Sequence, residues 1–174
     1  MVHEYCGALW FYACYKIGME KWIEVYQGDL GIALTDTFTT DLFFSIFDTR
    51  FAKLFDGVRQ DSGDPIVFAE KAIEHYKKLR IDPMSKTIVF SDSLNVDKVE
   101  EINNYCKGKI RPTYGIGTHL TNDVGVKPLN MVIKLTAIRA GDKWVPTVKI
   151  SDDKGKHTGD TDAVALCKQI LCIG

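Results

Sequence analysis

Acidic and hydroxyl-bearing side chains recur in this sequence, each time directly after a short apolar run. These residues are Asp36, Asp61, Ser62, Asp64, Ser91, Asp92 and Ser93. Mg²⁺ and the ribose hydroxyls of a sugar phosphate both prefer carboxylate oxygens as partners, so these residues are suited to either ligand. Each aspartate also precedes a predicted helix, and an amino-terminal cap of that helix is the alternative interpretation.

Two further features fit an anionic ligand. Arg59 lies near the end of the second apolar run, and its planar guanidinium is suited to a phosphate or pyrophosphate, or to a pair with a neighbouring aspartate. The segment Gly115–Thr118, with glycines at its first and third positions, follows the fourth run. It is similar to a phosphate cradle, in which absent side chains let backbone N–H groups close on an anion. Two glycines at a strand end are also typical of a tight turn.

The four histidines are less informative as residue types. His3 stands beside Glu4 at the start of the first predicted helix, where a solvated surface residue is the simplest interpretation. His75 falls in an amphipathic helix and His157 in a polar loop. His119 adjoins the glycine turn, so a ligand contact remains open for it.

The composition favours a protein that binds a small molecule over one that binds nucleic acid or a membrane. The 174 residues carry 22 basic and 23 acidic side chains, a net charge of -1, and no basic stripe. The longest apolar stretches, such as Leu42–Phe47, are far shorter than the roughly 20 residues of a membrane-spanning helix. Since the amino terminus does not resemble a signal peptide, we expect a cytoplasmic location. The five cysteines form no CxxC pair, and we expect free thiols without disulfides or zinc.

Helix-sized segments alternate with short β-rich runs along the first two thirds of the chain. The predicted strands are Gly31–Thr35, Gly57–Gln60, Lys86–Ser91 and Ile110–Tyr114, and the predicted helices are His3–Tyr26, Thr40–Phe55, Pro65–Leu79 and Val96–Cys106. This alternation predicts an α/β fold with four parallel strands joined by right-handed crossovers. The carboxyl ends of parallel strands share one face, so we expect Asp36, Asp61, Asp92 and Gly117 to line one cleft.

The pattern changes after Pro128. Alternating residues predict a β-hairpin of Leu129–Ile138 and Trp144–Ile150, followed by a polar loop and a helix over Thr161–Ile173. No linker-like segment interrupts the chain, so residues 1–174 are predicted to form a single domain. Because four parallel strands leave two open edges, we expect a homo-oligomer or association with another polypeptide.

Five motifs of the sequence together resemble the nicotinate phosphoribosyltransferase family, in their order and spacing. They are Leu34–Thr37, Arg59–Pro65, Ile81–Asp92, Tyr114–Thr118 and Val126–Lys134. The Arg-Gln-Asp-Ser-Gly-Asp-Pro motif that begins at Arg59 is very specific. The run Val2-His3-Glu4 is similar to the end of the family's Gly-Thr-x-x-His-Glu motif, of which the Gly-Thr part is absent here.

The resemblance implies specific roles in forming nicotinate mononucleotide from nicotinate and phosphoribosyl pyrophosphate, with ATP and Mg²⁺. His3 would be a phosphohistidine formed by ATP, and Asp36 and Asp61 would hold ribose hydroxyls, Mg²⁺ or the nicotinate side of the site. Arg59 would meet the pyrophosphate end of phosphoribosyl pyrophosphate. The other residues implied for substrate or phosphate binding are Ser62, Ser91, Asp92, Gly115, Gly117 and Thr118.

The resemblance also implies that this chain is the carboxyl-terminal half of an irregular α/β barrel of the type II phosphoribosyltransferase kind, inactive by itself. Two alternatives remain open: a non-catalytic fragment or pseudoenzyme that binds phosphate or oligomerises, and a nicotinamide-specific relative. A phosphatase of the haloacid dehalogenase type is disfavoured, because Phe38 stands where that class needs its second aspartate.

Overall fold

A computed structural model describes residues 7–129, 131–153 and 157–173, with side chains from residue 13 onward. The predicted site residue His3 lies outside the described residues. The helices of the α/β part are α1 (Gly7–Tyr26), α2 (Thr40–Ile46), α3 (Thr49–Leu54), α4 (Pro65–Lys78) and α5 (Val96–Cys106). Among the helices in these ranges, none combines the length and hydrophobicity that a bilayer span requires.

Four parallel strands form one sheet in the order β1 (Ile32–Leu34), β2 (Gly57–Gln60), β3 (Thr87–Phe90) and β4 (Arg111–Tyr114). The predicted α/β class and parallel pairing are confirmed. Within the described residues the sheet stays open, with β1 and β4 as its edges. In-register neighbours run across all four strands as Leu34, Arg59, Val89 and Thr113.

One face of the sheet carries the hydrophobic core. Ala33, Val58 and Ile88 point into a cluster built with the apolar sides of the helices, and Val58 and Ile88 are fully buried. Phe43, Phe47 and Phe51 form a ladder beneath α2 and α3, with centroid distances of 4.7 and 6.4 Å between successive rings. Each buried phenylalanine contributes about 1.5–3 kcal/mol relative to an exposed one, so this cluster fixes the sheet against the helices.

The opposite face of the sheet is only partly covered. Its residues Leu34, Arg59 and Val89 are half-buried, and Thr113 is exposed. Since side chains alternate along a strand, the residues that follow these positions by two, Asp36, Asp61 and Ser91 among them, belong to this same face. The open face therefore leads directly to the predicted site.

The predicted helix Thr40–Phe55 is wrong in one respect, because it is two helices. The carboxylate of Asp48 accepts hydrogen bonds from the N–H groups of Arg50 and Phe51 and so starts a new helix. An aspartate mid-way along a helical pattern competes for the backbone in this manner. The break turns Phe47 fully into the core.

The hairpin is present but much shorter than predicted. Its strands are β5 (Ala137–Ala140) and β6 (Lys143–Pro146), joined at Gly141 with φ of +61°. Upstream of β5, residues 131–136 form no strand among the described residues, and Met131, Val132 and Ile133 are 79%, 64% and 96% exposed. Alternation predicted a strand there, but a strand also needs a neighbour to pair with.

The last helix is α7 (Thr161–Leu171), which packs against α1. Cys167 of α7 is fully buried in a small cluster with Phe38 and Ile150. Burial raises the pKa of the Cys167 thiol to about 11, so this cysteine behaves as a small apolar residue. Four cysteines lie in the part of the chain whose side chains the structure describes, and none of them is joined in a disulfide: Cys14, Cys106, Cys167 and Cys172.

Asp64 is the one of the four candidate aspartates that caps a helix. Its carboxylate accepts from the N–H groups of Ile66 and Val67 at 2.8 and 2.9 Å, ahead of Pro65 in the first turn of α4. We expect Asp64→Ala to lower the free energy of unfolding by about 1 kcal/mol, because two N–H groups lose their acceptor. Urea unfolding measures this change. Asp64→Asn is the control and should retain most of the stability; an equal loss in both variants would contradict the capping role.

Candidate functional site

The carboxyl ends of the four strands lie side by side. The N–H of Ser91 donates to the carbonyl of Gln60 at 3.0 Å, and the N–H of Gly115 donates to the carbonyl of Phe90 at 2.8 Å. The hydroxyl of Thr35 donates to the carbonyl of Arg59 at 2.9 Å, which ties the carboxyl end of β1 to that of β2. The loops after all four strands therefore begin side by side at the carboxyl-terminal edge of the sheet, as the parallel topology predicts.

Arg59, Asp61 and Ser91 form a hydrogen-bonded network at this edge. The Nη2 of Arg59 donates to Oδ1 of Asp61 at 2.9 Å, and its Nε donates to the Ser91 hydroxyl at 2.9 Å. That hydroxyl lies 3.0 Å from Oδ1 of Asp61 and 2.9 Å from the carbonyl of Gln60, and its single proton serves one of them. Because these contacts use two of the five guanidinium donors, and the Arg59 side chain is 43% exposed, donors remain for an anion.

Asp36 is the most deeply buried acidic residue of the site, with 1% of its surface exposed. Its Oδ2 lies 3.1 Å from the ammonium of Lys149 and 3.4 Å from the hydroxyl of Ser151. Its Oδ1 is buried and has no hydrogen-bond partner among the described residues. A buried carboxylate oxygen without a donor is costly, so Oδ1 is suited to accept from a bound hydroxyl or water.

Lys149 links Asp36 to Asp61 and was not identified from the sequence. The same ammonium that pairs with Asp36 lies 3.9 Å from Oδ2 of Asp61. Ile150 is buried in the small cluster beside α7, and Lys149, next to it, points to the opposite side. The alternation of Val148, Lys149 and Ile150 was the available signal, because a lysine between two apolar neighbours faces away from them.

The segment around Lys149 is tied to the loops that follow β1 and β2. The N–H of Ile150 donates to the carbonyl of Thr37 at 2.9 Å. Asp152 accepts from the N–H and hydroxyl of Thr40, at the start of α2. Asp153 accepts from the N–H of Gly63 at 3.2 Å. We call residues 149–153 the bridging segment; it fixes both loops relative to each other.

The other three candidate aspartates, Asp36, Asp61 and Asp92, do not cap the helices that follow them. The cap of α2 is Thr39 and that of α5 is Asn95, whose side chains accept from the third helical N–H. The capping interpretation is therefore wrong for Asp36 and Asp92. Asp92 is half-buried at the end of β3 and accepts from the hydroxyl of Ser93 at 3.1 Å.

Ser62 sits in the loop after β2 and is 3% exposed. The amide nitrogen of Gln60 donates to the carbonyls of Ser62 and Gly63 at 2.9 and 3.0 Å, which stiffens the loop. The Ser62 hydroxyl is buried without a partner among the described residues. Gln60 was not singled out in the sequence, although an amide side chain at the end of a predicted strand, directly before Asp61, was an available signal.

The glycine turn continues this edge beyond β4. A Cβ on Gly115 would lie 3.3 Å from the Cβ of Ser91, so the absence of a side chain permits close approach of the two loops. Gly117 stands before a single helical turn, α6 (Thr118–Thr121), and a Cβ there would meet nothing within 4 Å. Thr118 is exposed. The turn therefore lies next to Ser91. Its exposed residues Gly117 and Thr118 are accessible to a ligand.

Burial shifts the pKa values of several groups, most of which lie outside the candidate site. Burial lowers the pKa of His75, which lies among aromatic rings and contacts the Phe47 carbonyl at 2.6 Å. Burial also lowers the pKa of Lys86, which is hydrogen-bonded to the Phe55 carbonyl at the opposite edge of the sheet. Close to the site, burial raises the pKa of Tyr15, whose hydroxyl donates to the Leu34 carbonyl at 2.8 Å. His75 is half-buried on α4, the amphipathic helix in which the sequence placed it.

A cavity of about 390 Å³ lies between α1 and the edge strand β1. Its lining is mainly apolar and includes Tyr15, Trp22 and Phe38. Leu34 and Thr37, which flank Thr35 and Asp36, also border it. The cavity therefore reaches the neighbourhood of the buried carboxylate from the side of the open sheet edge.

Comparison with known proteins places the chain in a family. The model of the "Nicotinate phosphoribosyltransferase (NAPRTase) family" matches residues 11–174. A nicotinate phosphoribosyltransferase of Desulforapulum autotrophicum is 61% identical over 86% of this chain and 39% of that protein. One of Chromohalobacter salexigens is 55% identical over 91% of this chain and 41% of that protein.

Solved structures agree with these matches. The nicotinate phosphoribosyltransferase of Porphyromonas gingivalis superposes with a TM-score of 0.89 at 48% identity, over 97% of this chain and 45% of that one. That of Vibrio cholerae superposes with a TM-score of 0.84 at 37% identity, over 91% of this chain and 39% of that one. The chain spans about two fifths of the length of the curated relatives it matches. It belongs to the nicotinate phosphoribosyltransferase family.

Proposed function

We propose that this chain supplies the phosphoribosyl pyrophosphate-binding part of an enzyme that makes nicotinate mononucleotide from nicotinate, with ATP hydrolysis. The observation that carries the proposal is the network of Arg59, Asp61 and Ser91, joined through Lys149 to Asp36 at the common edge of the sheet. The relatives named above are called nicotinate phosphoribosyltransferases, which favours nicotinate over nicotinamide as the base.

Each charged residue contacts a different group of phosphoribosyl pyrophosphate. Arg59, with donors still unused, meets the pyrophosphate, for which a planar guanidinium forms paired hydrogen bonds. Oδ1 of Asp36 accepts from a ribose hydroxyl, which supplies the donor that this buried oxygen lacks. Asp61, held by Arg59 and Ser91, faces the ribose from the neighbouring strand.

The hydroxyl and glycine residues serve the other end of the sugar. Ser91, Asp92 and the glycine turn with Gly115, Gly117 and Thr118 form the place for the 5'-phosphate. Gly115 lets this turn approach Ser91 closely, and backbone N–H groups of such a turn bind an anion without a side chain. Ser62 supports the loop after β2, next to Asp61.

The reaction is displacement of pyrophosphate at the anomeric carbon by the pyridine nitrogen of nicotinate. Positive charge develops on the ribose as the bond to pyrophosphate breaks, and the carboxylates of Asp36 and Asp61 stabilise that charge. Arg59 stabilises the negative charge of the departing pyrophosphate. The site therefore works by positioning and electrostatics, since the reaction needs no protein nucleophile on the sugar.

Mg²⁺ and ATP fit this site in different ways. The carboxylates of Asp36 and Asp61 are already paired with Lys149 and Arg59, and the described residues contain no group of three or more His, Cys, Asp or Glu placed to hold a metal. A magnesium ion carried by the pyrophosphate of the substrate fits this arrangement better than a resident one. ATP acts on His3, which lies outside the described residues.

Phosphate binding tests the proposal directly. Titration of the labelled chain with inorganic phosphate should shift the amide signals of Gly115–Thr118 first. Thr118→Ala should weaken binding by about 0.5–1.5 kcal/mol, roughly two- to twelvefold, because one net hydrogen bond is lost. Thr136→Ala, at an exposed threonine before the hairpin, is the matched control and should leave binding unchanged. Shifts confined to α7 would count against the site.

A further inference from the structure

The ammonium of Lys149 lies between the carboxylates of Asp36 and Asp61, 3.1 Å from Oδ2 of the first and 3.9 Å from Oδ2 of the second. Two carboxylates that converge on one point repel each other unless a cation stands there. In many sugar-phosphate sites that cation is a metal ion, since Mg²⁺ uses one or two carboxylates together with substrate phosphates. Here a side chain of the protein has that place.

The charges of the four residues joined by these ion pairs balance without an added ion. Asp36 and Asp61 contribute two negative charges, and Arg59 and Lys149 contribute two positive charges. Among the described residues, Lys149 is the only cationic side chain within 4 Å of the Asp36 carboxylate, and the Asp36 side chain is 2% exposed. An ionised carboxylate at that depth is strongly unfavourable unless it is paired, so the ammonium is needed wherever Asp36 is charged.

The backbone holds Lys149 in this position from both sides. Lys149 and Thr158 exchange two N–H to carbonyl hydrogen bonds of 2.9 Å, and Ile150 donates to the Thr37 carbonyl. Thr37 directly follows Asp36, so the same short connection fixes both partners of the ion pair. The position of the ammonium is therefore set by the fold and not only by attraction between two flexible side chains.

We propose that Lys149 is a positioning residue that takes the place of a divalent cation between Asp36 and Asp61. It holds both carboxylates in place for the ribose and leaves Mg²⁺ to enter on the pyrophosphate. The role of the pair in catalysis rests on the proposed function, but the occupation of the cation position by Lys149 does not. A test that uses metal binding alone separates the two.

The test is a titration of the labelled chain with Mn²⁺, followed by paramagnetic broadening of amide signals. In Lys149→Met the two carboxylates lose their ammonium, and broadening at Thr37 and Ser62 should appear at an Mn²⁺ concentration about tenfold lower than in the wild type. Lys149→Arg should behave as the wild type, because a guanidinium restores the positive charge. If Lys149 had only a structural role, its replacement by methionine would not raise the affinity for Mn²⁺.

Lys71→Met is the matched control, since it removes a lysine that pairs with Asp41 at 2.6 Å on the surface. It should leave the Mn²⁺ response at Thr37 and Ser62 unchanged. The proposal is overturned if the wild type broadens at these residues as readily as Lys149→Met, or if Lys149→Met shows no gain.

A measurement on the wild type keeps the proposal testable should Lys149→Met fail to fold. Competitive acylation with acetic anhydride, followed by mass spectrometry, should modify Lys149 about tenfold more slowly than the exposed Lys143, because its half-buried ammonium is held in ion pairs with Asp36 and Asp61. Equal rates at the two lysines would show that Lys149 does not occupy the position between the carboxylates.

Discussion

Gly57→Ala should lower the free energy of unfolding by about 4 kcal/mol or more, a value at the upper end for a single substitution. A Cβ at residue 57 would lie 1.9 Å from the carbonyl oxygen of Thr87 and 2.8 Å from its carbonyl carbon. Thr87 cannot withdraw, because it is paired with Gly57 in the sheet and its N–H donates to the Asp56 carbonyl at 3.0 Å. Urea unfolding followed by circular dichroism measures the loss.

Gly18→Ala provides the control for this prediction. Gly18 lies within α1, and a Cβ there would meet nothing within 4 Å. Alanine is favoured over glycine inside a helix by up to about 1 kcal/mol, so this variant should be as stable as the wild type or more so. A Gly57→Ala variant with the midpoint of the wild type would contradict the close approach of β2 and β3.

The parallel sheet could be predicted from sequence because its signals are local. Short β-rich runs bounded by helix-sized inserts gave four strands, and the connection rule gave their parallel direction. The site residues at strand ends followed from that topology: Asp36, Asp61 and Ser91 were expected at one edge, and they meet there. Their roles in catalysis stay a prediction.

What the sequence could not reveal depends on contacts between distant segments. Lys149 reaches Asp36 from far along the chain, and only the folded bridging segment brings them together. A pair of Arg59 with a neighbouring aspartate was the alternative to phosphate binding, and Arg59 does pair with Asp61 while it keeps unused guanidinium donors. The sequence also did not decide which aspartate caps a helix, since Asp64 and Asp36 both precede predicted helices. Of these two, only Asp64 accepts hydrogen bonds from N–H groups in the first turn of the following helix.

The hairpin shows a second limit of pattern reasoning. Residues before Ala137 alternate as a strand would, yet they remain exposed and without a strand partner in the described part of the chain. Whether an alternating segment forms a strand is decided by its neighbour, which local sequence does not contain.

The second large effect concerns catalysis: this chain by itself should form little or no nicotinate mononucleotide. It corresponds to about two fifths of the relatives' length, and the sheet face that leads to Arg59 and Asp61 is only partly covered. Substrates bound there would keep one side in water, where electrostatic stabilisation is weak and positioning is loose. Supplying the remainder of a relative as a separate polypeptide should restore turnover.

The control for restored turnover is a set of variants in this chain. Arg59→Ala should abolish the restored activity, because the pyrophosphate loses its paired donors, and His3→Ala should remove the contribution of ATP. Lys71→Met, which affects an exposed ion pair away from the site, should leave it unchanged. A non-catalytic phosphate-binding fragment would instead bind phosphate and show no turnover with any added polypeptide.

The most direct measurement is formation of nicotinate mononucleotide from nicotinate, phosphoribosyl pyrophosphate, Mg²⁺ and ATP. The chain is assayed alone and with the residues of the Desulforapulum autotrophicum relative that lie outside the matched segment. We predict product only in the mixture, and none when Arg59→Ala replaces the wild-type chain. Turnover near ~1 s⁻¹ by the chain alone, or a mixture whose activity is unaffected by Arg59→Ala, would contradict an incomplete site built around Arg59, Asp61 and Ser91.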